Sequence, residues 1–140
     1  MKSSALRWLV LLACPALSAA PSACGGPAAI PMVSSPQTPA AQGTVAAAPA
    51  PNGNTRLSVE VKHLALPERV APGAKVYVVW VVPHGGPPQN VGALRVDENL
   101  TGRLDTVTAQ PSFEVLVTAE DYPAATTPRG PRVLAAVVAQ

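Results

Sequence analysis

Apolar and polar residues alternate along most of the chain beyond residue 55. In residues 56–62, Leu57, Val59 and Val61 fall on one side, while Arg56, Ser58, Glu60 and Lys62 fall on the other. That period of two is the mark of a half-buried strand. Residues 75–83 form an unbroken β-branched and aromatic run, bounded by Ala71, Pro72 and Gly73 before it and by His84, Gly85, Gly86, Pro87 and Pro88 after it. Such a run suits a pleated, buried surface between turns, and it reads as the central strand. A third strand covers residues 91–96 with Leu94 and Val96 inward, and Asp97, Glu98 and Asn99 make a turn. A weaker fourth runs over residues 102–108 through Leu104 and Thr106. In the fifth, residues 112–120, Phe113, Val115 and Val117 alternate with Glu114, Leu116 and Thr118. Residues 121–131 are a loop, and residues 132–139 a last strand. No stretch after residue 55 has the spacing of a helix.

Six or seven short strands separated by Gly/Pro turns predict an all-β fold, a small antiparallel, Ig-like β-sandwich over residues 55–140. Trp80 and Phe113 are the largest candidates for its core, where truncating such a residue costs about 3–5 kcal/mol. The central strand is apolar on both faces, although one face of an antiparallel sheet is ordinarily wet. Val76, Val78, Trp80 and Val82 share one face, and Tyr77, Val79 and Val81 share the other. Either a loop or the upstream linker covers Tyr77, Val79 and Val81, or these three form an exposed patch that docks a partner.

The pattern stops upstream of residue 55. Residues 25–54 are dominated by Pro, Ala, Gly, Ser, Thr and Gln, with neither charge nor aromatic ring. Pro27, Pro31, Pro36, Pro39, Pro49 and Pro51 remove amide donors. This composition predicts a disordered, extended Pro/Ala-rich linker that buries too little apolar surface to offset its ordering entropy. Earlier still, Lys2 and Arg7 precede a mostly apolar run from Trp8 to Ala20, interrupted by Cys14 and Pro15. A basic start, a short apolar middle and small residues after it make residues 1–23 an export signal, too short and broken to span a bilayer. Ser22, Ala23, Cys24 and Gly25 resemble a bacterial lipoprotein processing site with Cys24 as the acylated residue, although Pro21 stands where such sites usually carry Leu. Leu11, Leu12, Ala13 and Cys14 fit the short pattern too, but leave an apolar run of about six residues, below the usual span. Cys24 is therefore preferred over Cys14. A Cys14–Cys24 disulfide is a poorer reading, since both residues lie in or beside the signal and no others exist to build a framework. The division expected is a signal peptide at 1–23, the lipidated Cys24 and linker at 24–54, and the sandwich at 55–140.

Charge narrows the partners. The formal excess is +2, and Lys2 and Arg7 account for all of it, because the eight basic and eight acidic residues from Arg56 onward balance. A processed chain is close to neutral and lacks the concentrated basic footprint that nucleic acid requires. Candidate chemistry is thin. His63 and His84 are the only histidines, and a metal centre needs further ligands at fixed spacing. Ser58 or Ser112 with His84 and a carboxylate would compose a hydrolytic triad on paper, but no nucleophile-elbow motif surrounds either serine. The acidic pairs Asp97–Glu98 and Glu120–Asp121 lack calcium-loop spacing and read as solvated turn charges. Asn99, Leu100 and Thr101 match a glycosylation acceptor, which the bacterial type of leader makes coincidental. No enzyme activity, cofactor or metal is expected.

From Val70 onward the sequence resembles the extracytoplasmic C-terminal domain of anti-sigma-K factors. The shared pieces are Pro72, Gly73, Lys75, Tyr77 and Trp80, then Gly92, Ala93 and Leu94, then Phe113 and Val115 leading to Thr118, Ala119 and Glu120, and finally Pro128 and Gly130. The resemblance implies the sandwich and a partner-binding or sensing role outside the cytoplasm. It does not extend to sigma-factor inhibition, since the family's zinc-associated helical domain and membrane-spanning helix have no counterpart in these residues. Ala124, Ala125, Thr126 and Thr127 also replace its usual Gly-Gly-Ser. The expectation is a membrane-tethered lipoprotein of the bacterial envelope that binds a protein or another envelope component. The alternative is a spacer or accessory subunit with no ligand of its own.

Overall fold

The computed structural model describes residues 25–139. Two antiparallel five-stranded sheets pack face to face as a β-sandwich. In chain order the strands are β1 (Ala29–Pro31), β2 (Val33–Ser34), β3 (Gln42–Pro49), β4 (Thr55–Lys62), β5 (Val76–Pro83), β6 (Gln89–Ala93), β7 (Arg95–Val96), β8 (Gly102–Thr108), β9 (Phe113–Glu120) and β10 (Arg132–Val138). Sheet A has the order β1-β3-β4-β8-β7 and sheet B the order β2-β10-β9-β5-β6. Among the described residues, helix is confined to one turn, α1 (Pro67–Val70), and a 3-10 turn at Pro51–Gly53.

The order of strands closes the sandwich at both sides. β1 lies at the edge of sheet A and β2 at the edge of sheet B, with Met32 alone between them. On the opposite side β6 and β7 switch sheets in the same way through Leu94. Strands that change sheet at a corner leave little unpaired edge. Met32 and Leu94, the two crossover residues, are both buried. Gly43 makes room for the first, since a Cβ there would stand 2.8 Å from the Met32 sulfur.

The expected strands at 56–62, 102–108, 112–120 and 132–139 correspond to β4, β8, β9 and β10, each within a residue of its expected ends. Leu57, Val59 and Val61 are buried between the sheets, as are Phe113, Val115 and Val117. Of the expected third strand, Leu94 is buried but Val96 is exposed.

Two expectations change. Residues 29–49 are not a disordered linker; they supply three strands and complete both sheets. β3 pairs with β4 along its whole length, from Gln42 opposite Lys62 to Pro49 opposite Thr55. Val45, Ala41, Met32 and Thr38 are buried, and the Thr38 hydroxyl donates to the Val133 carbonyl at 3.3 Å. The prolines are compatible because Pro31 and Pro49 end strands and Pro36 and Pro39 lie in the turn between β2 and β3. No ladder interior loses a donor. Residues 1–23 and both cysteines, Cys14 and Cys24, lie outside the described residues.

The second change concerns β5. Tyr77, Val79 and Val81 are not an exposed patch: they sit between the sheets with no accessible surface. Val78 and Trp80 point out of the sandwich and are buried there by the 121–131 loop through Ala125. Donor chemistry explains the choice of face. An indole N–H needs an acceptor when buried, and the inter-sheet core is aliphatic around Val45, Val59, Val79 and Val117. On the outside Thr118 supplies that acceptor.

Candidate functional site

The outer face of sheet B carries a buried polar network. Val76, Val78, Trp80 and Val82 of β5 lie beside Leu116, Thr118 and Glu120 of β9, because Trp80 is opposite Leu116 and Val78 opposite Thr118. The Trp80 indole N–H donates to the Thr118 hydroxyl oxygen at 2.8 Å. That hydroxyl in turn donates to Glu120 Oε1 at 2.5 Å. Glu120 also accepts from two successive backbone amides, those of Arg129 and Gly130, each at 3.1 Å to Oε1. The carboxylate is 2% exposed. Glu120 is therefore not the solvated turn charge its sequence position suggested. A buried carboxylate is tolerable only when its lone pairs are used, and here the loop backbone uses them.

The loop is held at its other end by Asn90 of β6. Its side-chain amide donates to the carbonyls of Pro123 at 2.9 Å and Ala125 at 2.8 Å, while its Oδ1 accepts from the Gly92 amide at 2.9 Å. Gly92 has a φ of 134°, a conformation that favours glycine. Gly130 is fixed by space instead. A Cβ on it would lie 1.5 Å from the Ala119 carbonyl oxygen. No buried side-chain polar atom among the described residues lacks a partner. The pieces Trp80, Gly92, Thr118, Glu120 and Gly130, scattered through the sequence, thus form one clamp that straps the 121–131 loop over the tryptophan. Sequence reasoning missed it, although the signal was present: Thr118 and Glu120 occupy alternate outward positions beside a strand with no other polar side chain to meet them.

Beside the clamp, the turn at residues 71–75 and residues 129–131 enclose an open cleft of about 620 Å³, with Lys75, Asp121 and Arg129 at its rim. Glu120 lines it but spends its oxygens on the loop. The strap covers only the β5 half of the face. Toward β10 and β2 the surface stays bare: Val33 is 75% exposed and Val137 62%. Val33 lies opposite Ala135, which lies opposite Leu116, which lies opposite Trp80. One apolar row therefore runs across four strands, covered at one end and open at the other. Glu114 and Arg132 stand on opposite sides of the row, opposite Val137 and Thr118, and their ion pair reaches across it at Leu116 and Ala135; a shallow cleft of about 220 Å³ lies between Val82, His84, Glu114 and Val137.

The outer face of sheet A is built differently. Thr44, Glu60, Arg103 and Arg95 form one row across it, and Ser58 and Asp105 the next. Glu60 bridges Arg103 at 3.2 Å and Lys62 at 3.3 Å. The hydrogen bond from Arg103, then that from Lys62, holds its carboxyl below the usual carboxylate range. This face is polar apart from Val107 and small alanines.

The remaining candidates are dispersed. His63 follows β4 at one end of the sandwich and His84 follows β5 at the other. Ser58 lies on sheet A opposite Asp105. Ser112 precedes Phe113, which pairs with Pro83, so it flanks His84; no hydrogen bond joins the two among the described residues. No group of three His, Cys, Asp or Glu side chains comes together among the described residues. Asp97 takes its expected place in a turn, where Oδ1 accepts from the amides of Asn99 at 2.9 Å and Thr101 at 3.0 Å. Tyr77, buried in the core, donates its hydroxyl to the Ala65 carbonyl at 2.6 Å. Burial, with a smaller contribution from the Glu68 charge, pushes its phenol up to about 12.

No protein-family model and no curated protein matches the sequence. Among solved structures, the crystal structure of the clock protein EA4 is similar to this one with a TM-score of 0.50 at 18% identity, covering 79% of this chain and 93% of that chain. The likeness is one of fold. It reaches beyond the strands expected at 55–140 and includes part of the upstream segment, since a match over that share of the chain cannot be made from residues 55–140 alone.

Proposed function

We propose that the chain is a non-enzymatic lipoprotein of the bacterial cell envelope, tethered to a membrane through Cys24, whose sandwich binds another envelope protein. The tether rests on Lys2, Arg7, the apolar run after them and the Ser22-Ala23-Cys24-Gly25 site. The binding role rests on one structural observation: Val33 and Val137, both largely exposed, stand on the same uncovered face as Ala135 and Leu116. These two are the most exposed of the described large hydrophobic side chains, and contiguous exposed apolar surface marks an interaction site. The docking surface is thus the open end of the sheet B row rather than Tyr77, Val79 and Val81. The resemblance to anti-sigma-K domains supports a sandwich displayed outside the cytoplasm. Its shared residues are those of the clamp together with core and turn positions such as Tyr77, Phe113 and Gly73, which are structural, so it lends no support to control of a sigma factor.

Photo-crosslinking of the full chain in its envelope, with the probe at Ala135, tests this reading. A defined crosslinked product should form with the parent chain and disappear when Val33→Lys and Val137→Lys are combined, the second facing Glu114 across the ladder. Surface changes of this kind alter stability by about 0.5 kcal/mol or less, so folding should be intact. Ser58→Asp on sheet A should leave the product unchanged. Crosslinking that survives the paired substitution, or none with the parent chain, leaves the spacer role.

A further inference from the structure

We infer that the end of the sandwich from which the N-terminal stem leaves is the surface that rests on the bilayer, with the opposite end held away from it. The inference rests on the tether at Cys24 proposed above. Only Gly25, Gly26, Pro27 and Ala28 separate that cysteine from β1. Fully extended, such a stem reaches roughly 18 Å at about 3.5 Å per residue. A disordered linker to residue 54 would have allowed the domain to wander far from the membrane, and the strands β1 to β3 remove that freedom. Ala29 lies opposite Ala46 and Pro31 opposite Thr44, so the stem leaves toward the Pro49 end of β3. The loops at that end are residues 50–54, 84–88 and 109–112, as the pairings of Thr55 with Thr108 and of Pro83 with Phe113 require.

None of those three loops contains Asp, Glu, Lys or Arg; His84 is their one ionisable side chain, and the nearest strand charges are Arg56 on sheet A and Glu114, paired with Arg132, on sheet B. The loops at the other end are residues 35–41, 63–75, 97–101 and 121–131. They hold Glu68, Arg69, Lys75, Asp97, Glu98, Asp121 and Arg129. Bringing one end against lipid headgroups therefore desolvates no Asp, Glu, Lys or Arg of its loops, while bringing the other end there would desolvate seven, and taking charges out of water is costly. Eight-residue strands such as β5 separate the ends by about 26 Å at 3.3 Å per residue, so headgroup-depth probes can tell them apart.

The experiment uses the full, processed chain in vesicles of phosphatidylethanolamine and phosphatidylglycerol, with a fluorophore on Ala109→Cys at the stem end or Glu98→Cys at the far end. Intact mass first establishes acylation of Cys24. Spin-labelled headgroups should quench the label at 109 and leave that at 98 unquenched. A Gly/Ser spacer of about 20 residues inserted between Gly26 and Pro27, reaching about 25 Å as a coil, should abolish the quenching while the protein stays on the vesicles. Equal quenching at both positions, or quenching unaffected by the spacer, in acylated protein overturns the orientation alone. An unacylated Cys24 overturns the tether and the orientation with it.

Discussion

The two sheets turn opposite characters to the outside. Sheet A presents Thr44, Ser58, Glu60, Arg95, Arg103 and Asp105, with Glu60 shared between two cations. Sheet B presents Val78, Trp80, Leu116, Ala135, Val137 and Val33, with its β5 half under a strap and its β10 half bare. A polar outer face needs nothing beyond water. An apolar one needs a cover, and this molecule builds half of that cover from its own 121–131 loop, fixed by a buried carboxylate and two backbone amides. The lesson is that an outward tryptophan on a central strand signals a covering segment, and the polar residues beside it signal how that segment is fastened.

Three changes test this contrast. The largest effect belongs to Gly130→Ala, because the added carbon would sit 1.5 Å from a backbone oxygen and no side-chain movement relieves it. The strap must lift, leaving Glu120 without its amides and Trp80 wet. Returning a buried side chain of that size to water costs about 1.5–3 kcal/mol, and a denaturant melt should show a loss of at least that order. Iodide quenching of Trp80 in residues 25–140, where it is the only tryptophan, should rise at the same time. Unchanged quenching would mean that the clamp does not hold the loop. Trp80→Phe is milder: it keeps an aromatic ring under Ala125 but removes the donor to Thr118. The expected loss is about 1–2 kcal/mol, that of one buried hydrogen bond and a small change in volume. The smallest effect is on sheet A. Glu60→Gln should leave the midpoint near neutral pH almost unmoved, since exposed ion pairs contribute little. Its signature is in acid. The folded carboxyl lies below the ordinary carboxylate range, so its contribution is present above that range and is lost as pH falls through the folded value. A pH-resolved melt of Glu60→Gln against the parent should converge below it.

Strong alternation made much of this fold legible. β4 and β9 carry Val, Leu or Phe at every second position, β8 alternates more weakly through Leu104 and Thr106, β10 is an apolar run after a Pro-Arg start, and the limits of all four follow from the sequence. β1 to β3 were not legible, because Gly43, Ala46, Ala47 and Ala48 carry almost no apolar contrast and the surrounding prolines mimic a linker. Their order comes from partners distant in sequence, such as Met32 against Gly43 and Val45 opposite Val59. The face of β5 was not legible either. With both sides apolar, a period of two cannot say which is inside; the indole N–H and its need for Thr118 decide it. The acidic pair at 120–121 divides for the same reason: Glu120 follows the outward row and is captured by the strap, while Asp121, one residue later, is exposed.

The corner at Met32 has a consequence for how the polypeptide assembles. Val33 pairs with Ala135, so one seam of the sandwich joins the beginning of the body to its end. Such a seam cannot zip until nearly the whole polypeptide has been delivered, and contacts of that sequence separation are the slow ones to form. A chain shortened at either terminus forfeits the closure rather than a dangling tail. Shortened to residue 55, it would leave β4 and β10 as raw edges open to neighbours.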